Sequence, residues 1–284
     1  MGIQSVCLVG GGNMGRQIAM NAAIHGFKAT VYDLSADVRA NAAQWADEYL
    51  AGRIAKGRLS EEQVSAIKER FSIESDLKTA VAGVDCVIEA IVEIEDIKHK
   101  VFKELSDVLP EDTIICTNSS GFGSSVFAND VKNPSRLCNM HFFNPALVMK
   151  CVEIVQGPHT SEETVQVVYE FCQQTGKAPV VMKKEIYGFI GNYIYAGMAE
   201  RARWLVQNGY CSWRDIDIVM EEGLSQKMGL FRRNDLTGVK LTFDQMQTAY
   251  KATGVKPDMY DIYEEMVAQG RHGRACGHGF YDYE

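Results

Sequence analysis

The run Gly10-Gly11-Gly12-Asn13-Met14-Gly15 constrains the fold of this chain more than any other feature. It follows directly on the β-branched apolar run Ser5–Val9, and residues 16–25 beyond it have helical composition. A strand that turns on glycines and re-enters as a helix opens a βαβ unit, with the helix N-terminal amides placed to cradle a pyrophosphate. Gly10 suits the tight turn, Gly12 a close backbone approach and Gly15 helix–strand packing. The six residues alone would also fit an ordinary glycine-rich turn. A second strand, Lys28–Tyr32, then leads into Asp33, at the usual spacing of about 20 residues, where a carboxylate can take adenosine ribose hydroxyls and oppose a 2′-phosphate. Leu34 and Ser35 follow, and the first cation is Arg39, so a 2′-phosphate lacks an obvious partner. The expected cofactor is NAD rather than NADP.

Short apolar runs alternate with amphipathic stretches through the first half of the chain. Strands are expected at Cys86–Glu89, Ile114–Thr117, 137–141, Cys151–Val155 and 178–181, the pattern of a parallel sheet between helices. The stretch from Asp33 to Ser72 is too long for a simple crossover. It reads as two helices, 38–56 and 61–71, joined by a turn at 57–59, with Ser60 as N-cap and Gln63 completing a capping box. Beyond Lys184 the strand signal stops, and helices are expected at 188–208, 212–222, 236–253 and 258–269, with Gly209, Gly223, Gly254 and Gly270 as C-caps. The expected fold class is α/β: a Rossmann-like dinucleotide-binding domain over 1–185 with a helical-hairpin insertion at about 38–71 projecting from it. An all-helical substrate and dimerisation domain over 186–284 follows.

Composition narrows the partners. Lys and Arg number 29 against 37 Asp and Glu, and the net charge of −8 disfavours nucleic acid or an anionic membrane surface. No apolar stretch reaches the roughly 20 residues of a membrane span, and the glycine run comes too early for a signal-peptide core. The eight cysteines are scattered with no metal-ligand spacing, and they read as reduced core thiols of a cytoplasmic protein with no metal site.

In RLCNMHFFNPALVMKCVEIV, His141 ends one expected strand and Glu153 lies in the next, with a turn at Asn144-Pro145 between them. A carboxylate on one imidazole nitrogen fixes the tautomer and leaves the other nitrogen to act as a general base. A lone histidine there would more often be a satisfied core residue. Its place downstream of a dinucleotide fingerprint favours catalysis.

These segments resemble the L-3-hydroxyacyl-CoA dehydrogenase family, most closely its short-chain 3-hydroxybutyryl-CoA members and the dehydrogenase part of multifunctional β-oxidation enzymes. The likeness runs through GGGNMG, DCVIEAIVEIEDIKHKVFKEL, TNSS, HFFNP, MKCVEIV, GFIGN, KMGLF and GHGFYDY, across essentially the whole chain. It implies NAD-dependent interconversion of a 3-hydroxyacyl-CoA and a 3-oxoacyl-CoA, with His141 as catalytic base and Glu153 orienting it. Ser120 would hydrogen-bond the reacting oxygen, Asn144 would lie near the nicotinamide, and Asn192 would help position the substrate. Glu93 and Lys98 would line the cofactor side, with Asn13 and Met14 in the phosphate loop. The residues alone make Ser120 and Asn192 capping or turn residues, and Glu93 with Lys98 a solvated charge cluster at a helix start. The hairpin would lie along the CoA nucleotide, where Arg53, Lys56 and Arg58 gather at its turn, although cations at a helix C-terminus are also ordinary dipole partners. A homodimer through the helical domain is implied as well. Leu230, Tyr193 and Ala275 depart from the family's usual Pro, Arg and Lys, with Arg271 or Arg274 as replacements for the last. Dehydrogenases of free hydroxy acids such as carnitine or gulonate, and idle crystallin-like chains, are the competing readings. Phe142 speaks against the first, and the joint presence of Ser120, His141, Asn144, Glu153 and Asn192 against the second.

Overall fold

The computed structural model describes residues 2–284. Its strands are β1 (Ser5–Val9), β2 (Lys28–Tyr32), β3 (Phe71–Glu74), β4 (Cys86–Glu89), β5 (Ile114–Thr117), β6 (Leu137–Phe142), β7 (Cys151–Val155) and β8 (Ala178–Met182). They join in one sheet ordered β3-β2-β1-β4-β5-β6-β7-β8, parallel throughout except for the antiparallel pair β6 and β7. The central strands read as unbroken apolar runs because helices cover both faces. Val6, Leu8, Ile88 and Cys116 pack on one side with Ile18 and Ala22, whereas Cys7, Val9, Val87 and Ile115 pack on the other with Phe102 and Leu105.

The helices of this part are α1 (Asn13–Ile24), α2 (Ala36–Ala55), α3 (Glu61–Arg70), α4 (Leu77–Ala80), α5 (Glu95–Val108) and α6 (Glu162–Gln174). Ser60 and Gln63 form the expected capping box of α3. The hairpin differs from expectation in two ways. Phe71 does not end α3 but opens β3, which pairs parallel to β2 as the sheet's outer strand, so α2 and α3 are part of a crossover. Nor does the hairpin simply project, since Ala46 and Leu50 of α2 and Val64 and Ile67 of α3 are buried in the same core as α1.

The chain divides into a unit ending at Ile190 and a second unit, Gly191–Glu284. Helix α7 (Phe189–Gln207) begins in the first, and α8 (Trp213–Ile218), α9 (Leu230–Thr237), α10 (Val239–Thr253) and α11 (Tyr260–Ala268) follow. The single helix expected over 236–253 is broken at Gly238, whose φ of +113° ends α9 before α10 begins. Gly254 is the left-handed C-cap of α10, as expected, whereas Gly223 closes a π-helical turn after α8. Two buried carboxylates tie this unit together. Asp217 accepts from the Phe231 and Arg232 amides and the Tyr281 hydroxyl, and Asp235 from the Phe280 and Tyr281 amides and the Tyr283 hydroxyl. Of the departures from the family pattern, Leu230 is buried at the start of α9, while Tyr193 and Ala275 are exposed.

All eight cysteines are free, but only Cys7, Cys86, Cys116, Cys138 and Cys172 are core thiols; Cys276 is exposed, and Cys151 and Cys211 are half-buried. Among the described residues no helix is long and apolar enough to cross a membrane, and no cluster could hold a metal ion.

Candidate active site

Strand order reverses between β1 and β4, and in open α/β sheets ligands bind at the strand C-termini beside such a switch point. The glycine run sits there. Gly10 has φ +111°, and a Cβ on it would meet the Ala90 carbonyl oxygen at 2.6 Å; one on Gly15 would lie 1.8 Å from the Gly10 oxygen. These contacts press the loop against β4 and α1 and leave Gly12 facing open space. No side chain caps the N-terminus of α1, and its first turn carries no acid. Free amides at the positive end of a helix, with nothing but hydrogen on the approach, fit the pyrophosphate of a dinucleotide.

Asp33 is fastened to this loop. Its Oδ2 accepts the Gly11 amide at 2.8 Å and its Oδ1 the Ser35 amide at 2.8 Å, which holds the carboxylate at the β2 end of the crevice. Asn13 donates from Nδ2 to Asn144 Oδ1 at 3.1 Å, so the β6–β7 connection touches the phosphate loop. Met14 is half-buried behind it.

His141 and Glu153 are direct cross-strand partners in the β6–β7 ladder, and Nδ1 lies 2.8 Å from Glu153 Oε2. Only 5% and 2% of the two side chains are exposed, so the pair meets nearly out of water. With Nδ1–H donating to the carboxylate, Nε2 is left as the atom for proton exchange. Phe143 and Phe189 flank the imidazole with ring centroids at 5.0 and 5.4 Å. Phe189 reaches that place through two successive left-handed residues, Gly188 at φ +79° and Phe189 itself at φ +50°.

Ser120 is exposed on the loop after β5, and acidic side chains fix that loop at both ends. Glu93 accepts from the Ser119 hydroxyl and from the Ser120 and Gly121 amides, at 3.1 and 2.9 Å for the amides. At the far end Glu185 accepts from the Ser124 hydroxyl at 3.2 Å, the Ser125 amide at 2.9 Å and the Ser125 hydroxyl. Burial pushes the Glu93 carboxyl up, but the Ser119 hydroxyl and the Lys98 charge pull it down further, below the usual carboxylate range.

Lys98 does not line an open surface. Its ammonium is buried, 2.6 Å from Glu89 Oε1 and 3.1 Å from Glu93 Oε2, and Glu89 is itself fully buried while also accepting from Ile91 N and Thr117 Oγ1. Lys98 therefore supports the Ser120 loop through Glu93. Sequence reasoning missed Glu89, Glu185 and Phe189. Only the packing of separate elements brings them to the site, although the GF pair of GFIGN already contains Phe189.

At the hairpin turn, Lys56 and Arg58 are exposed, and the Arg58 amide donates to the Arg53 carbonyl at 2.9 Å. Arg53 is half-buried, its guanidinium 5.7 Å from the Tyr49 ring centroid. Asn192, exposed near the start of α7, belongs to the second unit.

A dinucleotide loop and a histidine–carboxylate pair carried by one doubly wound sheet define the class of nicotinamide-dependent oxidoreductases. Within that class the chain belongs to the 3-hydroxyacyl-CoA dehydrogenase family: residues 5–186 match the family's NAD binding domain and residues 188–283 its C-terminal domain. It is 33% identical over 285 residues to the probable 3-hydroxybutyryl-CoA dehydrogenase of Bacillus subtilis, covering 100% of this chain and 99% of that one. To the 3-hydroxyadipyl-CoA dehydrogenase of Escherichia coli it is 32% identical, spanning 99% of this chain but 59% of that protein. Among solved structures, the (S)-3-hydroxybutyryl-CoA dehydrogenase of Ralstonia eutropha superposes with a TM-score of 0.89 at 30% identity, covering 99% of both chains.

Proposed function

We propose that this protein interconverts (S)-3-hydroxyacyl-CoA and 3-oxoacyl-CoA of short chain, the 3-hydroxybutyryl and acetoacetyl pair, with NAD as the redox partner. The observation that carries the reading is the His141–Glu153 pair, buried on the sheet that bears an open dinucleotide loop. NAD, when bound, supplies the hydride acceptor. His141 Nε2 takes the proton of the substrate's C3 hydroxyl in the oxidative direction and returns it to the developing alkoxide in the reductive one. Glu153 keeps Nδ1 protonated and offsets the charge on the imidazolium. Phe143 and Phe189 hold the ring in place and keep water from it. Ser120 hydrogen-bonds the reacting oxygen, Asn144 positions the nicotinamide end, and Asn192 orients the acyl group. NADH consumption with acetoacetyl-CoA tests the whole reading. Turnover of free acetoacetate at the same rate would replace it with a hydroxy-acid dehydrogenase, and no turnover of either with an idle nucleotide-binding chain.

The CoA moiety is assigned to the α2–α3 hairpin, because an acidic chain needs a local cationic surface for a multiply charged ligand and Arg53, Lys56 and Arg58 supply one. Neutralising all three is expected to raise KM for acetoacetyl-CoA roughly tenfold at low salt, with a smaller salt dependence. An N-acetylcysteamine thioester, which lacks the nucleotide, should be little affected. Equal losses on both substrates would assign the cluster to stability instead.

The second unit is proposed to join two copies as a homodimer. Ile218, Val219, Leu224, Leu236 and Leu241 are all more than half exposed there, which supports an apolar contact.

A further inference from the structure

The sequence leaves a ribose 2′-phosphate without a partner, because the first cation after Asp33 is six residues away. Folding removes that distance. Ser35 caps α2, Arg39 follows one turn later, and its side chain turns back over the end of β2. Nη1 donates to the Asp33 carbonyl at 2.7 Å and to the Leu34 carbonyl at 2.9 Å. Asp33 thus brings opposite charges close together, its own carboxylate fastened to the phosphate loop through Gly11 and its carbonyl holding the Arg39 guanidinium. Among the described residues Arg39 forms no ion pair, and only Nη1 of its fork is hydrogen-bonded. Beside it the Ser35 hydroxyl accepts from the Val38 amide and keeps its own proton to donate.

A strand-end cap would account for the Nη1 bonds alone. It leaves unexplained why an unpaired guanidinium, in a chain of net charge −8, stands against the residue that would select the ribose. A planar fork with open N–H groups is suited to a phosphate dianion, and an arginine near the end of the second strand is how such folds accept a 2′-phosphate. We propose that the adenosine end of the crevice is a two-option subsite: Arg39, with Ser35, is already placed for a ribose 2′-phosphate, and discrimination against NADP rests on the Asp33 carboxylate alone. The proposal rests on the dinucleotide reading of the crevice and goes beyond it.

Calorimetric binding of ADP-ribose and 2′-phospho-ADP-ribose, which requires no turnover, tests it. The wild-type protein should prefer ADP-ribose. Asp33→Asn removes the charge and keeps an acceptor for one of the two backbone amides, and it should bind 2′-phospho-ADP-ribose at least tenfold more tightly than the wild type does. That gain should shrink with added salt and vanish in Asp33→Asn/Arg39→Gln. A gain that survives the loss of Arg39, or no gain in a folded Asp33→Asn protein, overturns the proposal. Should Asp33→Asn not fold, Arg39→Gln alone decides: it should lower affinity for 2′-phospho-ADP-ribose relative to ADP-ribose several-fold, and an unchanged ratio overturns the proposal. Failure of the wild-type protein to bind either ligand would instead overturn the dinucleotide reading.

Discussion

Replacing His141 with alanine is expected to lower kcat by roughly 10²–10⁴, the usual contribution of a positioned general base, while NADH binding changes little. The site offers no substitute for Nε2, because the imidazole lies between Phe143 and Phe189 and its partner Glu153 is as buried as it is. Glu153→Gln should also damage kcat. A neutral amide can donate to Nδ1 and so favour the tautomer that carries its proton on Nε2, and it no longer stabilises the imidazolium. Because both substitutions disable one proton-transfer unit, the double variant should be scarcely slower than His141→Ala alone. Steady-state kinetics on the four proteins of the cycle check this, and losses that multiply would mean that the two residues act independently.

Lys98→Met should produce the largest loss of stability. The ammonium is the cationic partner of a carboxylate with no access to water, and removing one member of a buried pair typically costs about 3–5 kcal/mol. Glu89 would keep its bonds from Ile91 and Thr117 but lose its counter-charge. For a unit of this size that corresponds to a fall in Tm of the order of 10 °C. Pairing Lys98→Met with Glu89→Gln should recover much of the loss, since no isolated charge then stays buried. Calorimetry of the single and double variants decides the point. A double variant as unstable as the single one would show that packing of the lysine stem, rather than charge, is what matters.

The central strands were legible because β1, β4 and β5 are covered on both faces and so are apolar almost throughout, with Glu89 and Thr117 only at the ends of β4 and β5. The phosphate loop was legible because its glycines are demanded by backbone contacts within α1, β1 and β4. Strand β3 escaped because it has four residues at the sheet's outer edge, begins directly where α3 stops and buries none of its side chains fully. The break at Gly238 escaped for the opposite reason, since apolar residues continue across it and only the backbone angle separates two helices. The His141–Glu153 pair could be read from two strands flanking one short turn. Glu89 with Lys98, Glu185 with Ser124 and Ser125, and Arg39 with Asp33 could not be read, since each depends on where a side chain turns after its element is in place.

The ladder between β6 and β7 pairs His141 with Glu153 by register, and the connection between the strands is fastened separately, by Lys177 Nζ on the Ala146 and Met149 carbonyls. Side chains alternate faces along a strand, so a slip of one residue would turn either partner away. The proton-transfer pair and the segment that carries Asn144 are therefore held by different contacts. A substitution at Lys177 would loosen the segment that carries Asn144, while the register that pairs His141 with Glu153 stays set by the strands.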